Sequence, residues 1–233
     1  MNKNELARRI YDGKAIERID KKIDLLGRNR SISTFKFLNT RIISTVVVFL
    51  VSLYIFSFGY VIAPVVSIIY FMMYEKIVLD DKINKRRIKL ENEAMQFFEI
   101  LTLSLETGRN LEEAISVSSS NDNGELAHLF KEAIRETKFG KSLQESLVDM
   151  EKYIPSESIN NIILALSQSN IYGSSIIETM YNQVDYLRVK KTMEVKAEIS
   201  KVPIKVSVIS VLFFIPLILL IILGPILLKF IGV

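Results

Sequence analysis

Few side chains in this sequence are equipped for bond-making chemistry. His128 is its one histidine, and there is no cysteine and no tryptophan. A lone imidazole needs a nucleophile to deprotonate and a carboxylate to orient it before it can serve as a general base. No Ser/His/Asp or Cys/His set, phosphate-cradling Walker loop or HExxH helix accompanies it. With no thiolates, disulfides are excluded. With no second imidazole either, a metal site would need carboxylates alone, and none cluster. The residue types predict no catalytic residue, no metal ligand and no cofactor.

Three glutamates recur in a fixed pattern, and their chemistry is local. Gly108-Arg-Asn-Leu-Glu-Glu-Ala-Ile115, Gly140-Lys-Ser-Leu-Gln-Glu-Ser-Leu147 and Gly173-Ser-Ser-Ile-Ile-Glu-Thr-Met180 share one form, with glycines 32 and 33 residues apart. Glycine takes the left-handed conformation that ends a helix. Asn110, Ser142 or Ser175 then caps the next helix, and Glu113, Glu145 or Glu178 three residues on completes a capping box. Each copy is thus predicted to be a helix–corner–helix joint. A period near 33 also suits a solenoid, but the stretches between corners differ in length and share little sequence, which favours a bundle.

These joints sit between two greasy blocks. The chain is 49% hydrophobic and 24% charged, with a mean hydropathy of +0.28. Charged and apolar residues are segregated: neither Ile42–Tyr74 nor Val206–Leu228 carries a charge. Stretches this long and apolar predict membrane spans. As one helix the 33 residues from 42 to 74 would reach about 50 Å, against a hydrocarbon core of about 30 Å. A hairpin of two short arms fits better, with Ser57-Phe58-Gly59-Tyr60 and Pro64 marking the turn. The first apolar block starts too late for a secretory signal.

Charge supports the hairpin. Residues 1–41 hold 11 Lys+Arg and 5 Asp+Glu, and residues 75–205 hold 18 and 21, with Lys85-Arg86-Arg87 beside the apolar block. A hairpin keeps both segments on the cytoplasmic side, as the positive-inside rule requires, whereas a single span separates them. The basic excess is juxtamembrane, which suits lipid headgroups and not nucleic acid. The C-terminal block then crosses once, with Pro203, Pro216 and Pro225 as potential kinks; a re-entrant hairpin is the alternative.

The expected layout is a basic cytoplasmic segment (1–41), a transmembrane hairpin (42–74), a cytoplasmic helical domain (75–201) and a C-terminal span (202–230). Within the domain, apolar residues at helical spacing, such as Ala94, Phe97, Phe98, Leu101 and Leu105, and the absence of alternation predict an all-α bundle. About six helices are expected, near 90–107, 110–119, 124–138, 142–152, 156–171 and 175–201. The polar stretch Ser118–Gly124 reads as a loop. Arg86, Arg87, Arg188, Lys190 and Lys191 form two basic runs, read as solvated or headgroup-facing, or more sharply as partner contacts.

The cytoplasmic part resembles the type II secretion system F domain, in particular the single-domain form of Tad-type (Flp) pilus assembly platforms. The resemblance is carried by Leu101-Thr-Leu-Ser-Leu-Glu-Thr-Gly108 leading into Leu111–Ile115, Phe139–Leu147, Pro155, Ala165–Gly173, Leu187-Arg-Val-Lys-Lys191, Glu194, Ala197-Glu198, and the Lys201–Lys205 approach to a Pro216-containing span. It covers residues 42–230. Gln168–Tyr172 are uncharged where pilus and secretion relatives often carry an acid, which points to the Tad branch. The resemblance implies a non-enzymatic inner-membrane platform that touches a cytoplasmic secretion ATPase and helps move pilin-like subunits into a filament. With one such domain where longer relatives have two, it implies a homodimer or a paralogous partner. A membrane-anchored scaffold or signalling protein unrelated to filaments has the same composition and topology.

Overall fold

The computed structural model describes residues 11–28, 33–55, 59–168 and 173–231, and every regular element among them is helical. In chain order these are α1 (Gly13–Asp24), α2 (Thr34–Ile55), α3 (Gly59–Glu75), one π-helical turn (Lys76–Asp80), α4 (Asp81–Glu106), α5 (Leu111–Asn121), α6 (Glu125–Thr137), α7 (Leu143–Glu151), α8 (Glu157–Gln168) and α9 (Gly173–Ile231). The chain divides into two compact units, Met1–Val184 and Asp185–Val233. The all-α class is as the sequence predicts.

Helices α2 and α3 pack against each other, and the residues between them, 56–58, lie outside the described ones. Their outer faces carry Leu50, Tyr54, Ile68 and Met72 in the open, a surface that suits lipid and not water. Among the described residues three helices are long and apolar enough to cross a membrane, within Thr34–Ile55, Tyr60–Glu106 and Ile177–Leu223. This is an integral membrane protein. Pro64, expected in the turn, instead lies inside α3. It forfeits one N–H bond to the carbonyl four residues back, a loss that membrane helices tolerate. The first arm also starts earlier than the uncharged block, taking in Lys36 and Arg41.

The next helix, expected from about residue 90, begins at Asp81 and continues α3 through the π turn. Ala94, Phe97, Phe98, Leu101 and Leu105 are all buried on α4, as their spacing predicts. Phe130 of α6 stacks on Phe97 with ring centroids 4.6 Å apart and meets Phe98 edge-on at 5.9 Å. Sequential neighbours from α4 to α8 pack on one another, and α4 additionally touches α6 and α8. A solenoid confines contacts to adjacent repeats; these helices instead close around α4 as a bundle.

The corners are built locally. Gly108 and Gly140 have φ of +81° and +94°, the left-handed region that glycine enters without strain. Asn110 accepts a bond from the Glu113 N–H at 2.8 Å, with no return bond from the Asn110 N–H to the Glu113 carboxylate among the described residues. Ser142 and Glu145 form the full reciprocal box, at 3.2 and 3.3 Å. The third copy is arranged otherwise: α9 already begins at Gly173, so Ser175 stands in its first turn and not at the cap. Residues 169–172, where that corner falls, lie outside the described residues, and Glu178 is exposed on the helix. The loop expected at Ser118–Gly124 is shorter than anticipated. The hydroxyls of Ser118 and Ser119 donate to the carbonyls of Ala114 and Ile115 at 2.8 and 2.7 Å, which satisfies them within a helix that runs on to Asn121.

Candidate functional site at the foot of the hairpin

The segment before the hairpin, expected only as a basic run, contains the amphipathic helix α1. Ile16, Ile19, Ile23 and Leu26 recur at spacings of three and four, and Ile19 and Ile23 are buried against Phe37, Leu38 and Leu79. The same register turns Arg18 and Lys22 toward the last residue of α3. The Glu75 carboxylate accepts from Lys22 Nζ at 2.8 Å, from Arg18 Nη2 at 3.0 Å and from Arg41 Nη1 at 3.3 Å. Lys22 Nζ also donates to Asp80 at 2.9 Å. Glu75 precedes the π turn and Asp80 is its last residue, so one ammonium group bridges both of its ends. Arg41 has only 8% of its side chain exposed. It donates to the Phe71 carbonyl at 3.0 Å and lies 3.8 Å from the centroid of the Phe71 ring, a desolvated cation–π contact.

A second fastening holds the other end of α1. Arg86 donates from Nε to Glu125 at 2.6 Å, from Nη1 to the Leu25 carbonyl at 2.7 Å, and again from Nη1 to the Tyr153 carbonyl. Gly27, with φ of +111°, ends this segment; a Cβ there would stand 3.3 Å from Arg86 Nη2. Arg28 extends to Glu136 at 2.7 Å on α6, with its guanidinium 6.0 Å from the Tyr153 ring. Helix α1 is therefore a strap, with one end on the hairpin foot and the other on α4, α6 and the α7–α8 loop.

The electrostatics are those of closed ion networks. Burial pushes the Lys22 ammonium down, but its bonds to Glu75 and Asp80 outweigh that and raise it above the usual lysine range. Burial pushes the Glu125 carboxyl up, and the bonds from Arg86 and Lys89 bring it below the ordinary value. Charges held this way are neutralised in place.

This corrects two sequence expectations. The basic residues Arg18, Lys22 and Arg28 face carboxylates of the same chain, where headgroups had been expected. Arg86 is no surface contact: its side chain is 9% exposed, because the Leu25 and Tyr153 carbonyls at helix ends need a donor and α4 presents Arg86 to both. Arg87 remains half-exposed on α4, bonded to Asn84 at 2.9 Å. Arg188 is exposed on α9, and Lys190 and Lys191 are half-buried there. His128 stands exposed on α6. Among the described residues no His/Asp/Glu group is arranged to hold a metal ion. Gly27, Arg41, Glu75 and Glu125 escaped sequence reasoning; the 16-19-23-26 spacing was the available signal for the strap.

From Phe97 in the middle of α4 to Gly224 in α9, the chain matches the family model described as Type II secretion system (T2SS), protein F, over residues 97–224. That is more than half of the chain. The chain belongs to the type II secretion system protein F family. No curated protein and no solved structure matches it. The matched stretch takes in the bundle from the Phe97–Phe130 core onward together with the last span. The strap, the hairpin and Arg86 precede the stretch over which this protein F family member is matched. Glu125 and Tyr153, which Arg86 holds, lie inside the match.

Proposed function

We propose that this protein is the membrane platform of a Tad-type pilus-like or type II secretion machine, a non-enzymatic part that couples a cytoplasmic secretion ATPase to the movement of pilin-like subunits. The family match carries the reading. The structure is in keeping with it: the second hairpin arm continues through the π turn into α4, the central helix of the bundle, and α1 straps the two together. A displacement of the bundle is thereby passed to the hairpin without an intervening flexible loop.

In this reading the segments 1–41 and 75–201 face the cytoplasm, 42–74 is the transmembrane hairpin and 202–230 the final span. The uncharged Gln168–Tyr172 favour the Tad branch. Arg87, Arg188, Lys190 and Lys191 are the candidate contacts for the ATPase. The hairpin and the last span offer the apolar surface for a pilin helix, and a homodimer or paralogue completes the platform.

The test uses the absence of native cysteine. Single cysteines at Lys14, Ser120 and Lys191 should resist a membrane-impermeant maleimide in whole cells and react once the cells are opened. Labelling of Ser120→Cys from outside removes the cytoplasmic bundle and with it the motor contact. A deletion strain should lose its filaments or secreted substrate, and the protein should co-purify with a secretion ATPase; filaments intact without it end the proposal.

A further inference from the structure

Several cations of the bundle are paired with carboxylates of the same chain. Arg86 and Lys89 hold Glu125, Lys141 holds Glu136 and Asp149, and Lys152 holds Asp149. The exposed face of α6 gathers four basic residues in one row. His128, Lys131, Arg135 and Lys138 recur at spacings of three, four and three on α6, and all four are exposed. That places them in one stripe over about 15 Å of helix. The side chains of His128, Lys131 and Lys138 have no hydrogen-bond or ion-pair partner among the described residues. Arg135 reaches only Glu132, at 3.6 Å, and Glu132 is shared with Arg28.

The stripe forms one wall of a groove of about 500 Å³ between α5 and α6. The opposite wall is Ser116, Ser119 and Ser120, side chains too small to fill it; Ile134 and one carboxylate, Glu132, line the groove beside the four basic residues. Directly after Lys138, Phe139 is 84% exposed, a large aromatic left in water at the end of a cationic row.

We propose that this groove seats an acidic helical segment of a soluble partner protein, with carboxylates at the complementary three- and four-residue spacing and an apolar residue over Phe139. Linear extent argues for a helix. A single phosphate is a few ångströms across and covers only part of the stripe, whereas three turns of acidic helix meet all of it. The exposed aromatic argues for a peptide: Phe, Tyr and Trp are the usual anchors of protein contacts, flanked by charges that set register and encounter rate. The serine wall leaves room for a backbone to approach. The inference goes beyond the platform reading and needs only that α5 and α6 face water.

The experiment uses the full-length protein in nanodiscs of zwitterionic lipid and a fluorescein-labelled alanine-based helix. The probe bears Glu at i, i+3, i+7 and i+10 and a terminal Leu; a second probe has the same composition in scrambled order. The ordered helix should bind, and weaken as NaCl rises from about 0.05 to about 0.3 M. K131E/K138E should weaken it at least about tenfold, and F139A should weaken it with little change in salt dependence. K82E/K85E, an equal charge change on α4, should leave it unaltered. Equal binding of both probes, or unchanged binding by K131E/K138E, overturns the proposal. So does full competition by millimolar inorganic phosphate, which indicates a small-anion site. A shift of K131E/K138E from dimer to monomer without peptide binding assigns the groove to a second copy instead. Loss of filaments with peptide binding intact would separate the platform reading from this one.

Discussion

Nη1 of Arg86 lies 2.7 Å from the carbonyl oxygen of Leu25, so a side chain on the first bundle helix closes the end of a helix 61 residues earlier in the chain. The same nitrogen reaches Tyr153, and Nε reaches Glu125. One guanidinium thereby completes three unrelated elements. Removing it strands two carbonyls and leaves the Glu125 carboxylate to Lys89 alone. Arg86→Ala is expected to cost about 3 kcal/mol, read as a lower unfolding midpoint in detergent. Arg86→Lys should recover less than half, because a single ammonium cannot reproduce the fork. Glu125→Gln combined with Arg86→Ala should fall well short of the sum of the two.

Gly27 tests the strap from its other side. Alanine there meets a left-handed φ and a guanidinium at 3.3 Å. The expected loss is about 1–2 kcal/mol, and it should show first as faster proteolysis after residue 28 while the bundle core stays protected. Gly27→Ala with unchanged proteolysis would mean that the strap is not held by its C-terminal end.

The helix corners give a graded pair. Ser142→Ala together with Glu145→Ala removes both halves of a reciprocal box and should cost about 1–2 kcal/mol, whereas Asn110→Ala removes a single bond and should cost about 0.5–1 kcal/mol. Thermal melts of the two variants in the same detergent compare them directly. A larger effect at Asn110 would contradict the one-sided geometry of that cap.

Acid should loosen the bundle. Bonds from Lys141 and then Lys152 hold the Asp149 carboxyl down to about 2. Bonds from Lys141 and Arg28 lower Glu136, and Glu125 is lowered by Arg86 and Lys89 against its burial. Each group binds its proton more readily unfolded than folded. Their contribution is therefore complete above their ordinary values of 3.8 and 4.5 and disappears as pH falls through the depressed ones. The unfolding midpoint should be flat from neutrality to about pH 5 and decline from there toward pH 2. Asp149→Asn should flatten the lowest part of that decline.

Periodicity exposed the bundle and chemistry exposed the caps, since both are local. The spacing of Ala94, Phe97, Phe98 and Leu101 names the buried face of α4 without knowledge of what covers it, and Ser142 with Glu145 closes on itself. Arg86 is different. Within Lys85-Arg86-Arg87 nothing distinguishes the middle residue, because its three acceptors come from positions 25, 125 and 153. Two of them are backbone carbonyls that any residue would supply. The start of α4 was missed for a related reason: Lys82 to Lys89 is too charged to show an apolar stripe, and the helix there is held by continuity with α3 and by ion pairs. Pro64 was overweighted as a turn marker, because its cost in water is not its cost in a packed membrane helix.

The wide turn at Lys76–Asp80 has a consequence for how such a protein changes over time. In an ordinary α-helix one extra residue swings everything downstream by about 100°, which here would spin the entire bundle beneath its anchor. A π turn absorbs that residue and keeps the two ends in phase. The chain can therefore gain or lose a position at the lipid boundary and leave both neighbouring parts oriented as before. Deleting Val78 should straighten the junction into uninterrupted α-helix, and the azimuth of the bundle would then become the variable that evolution, or an engineer, can set.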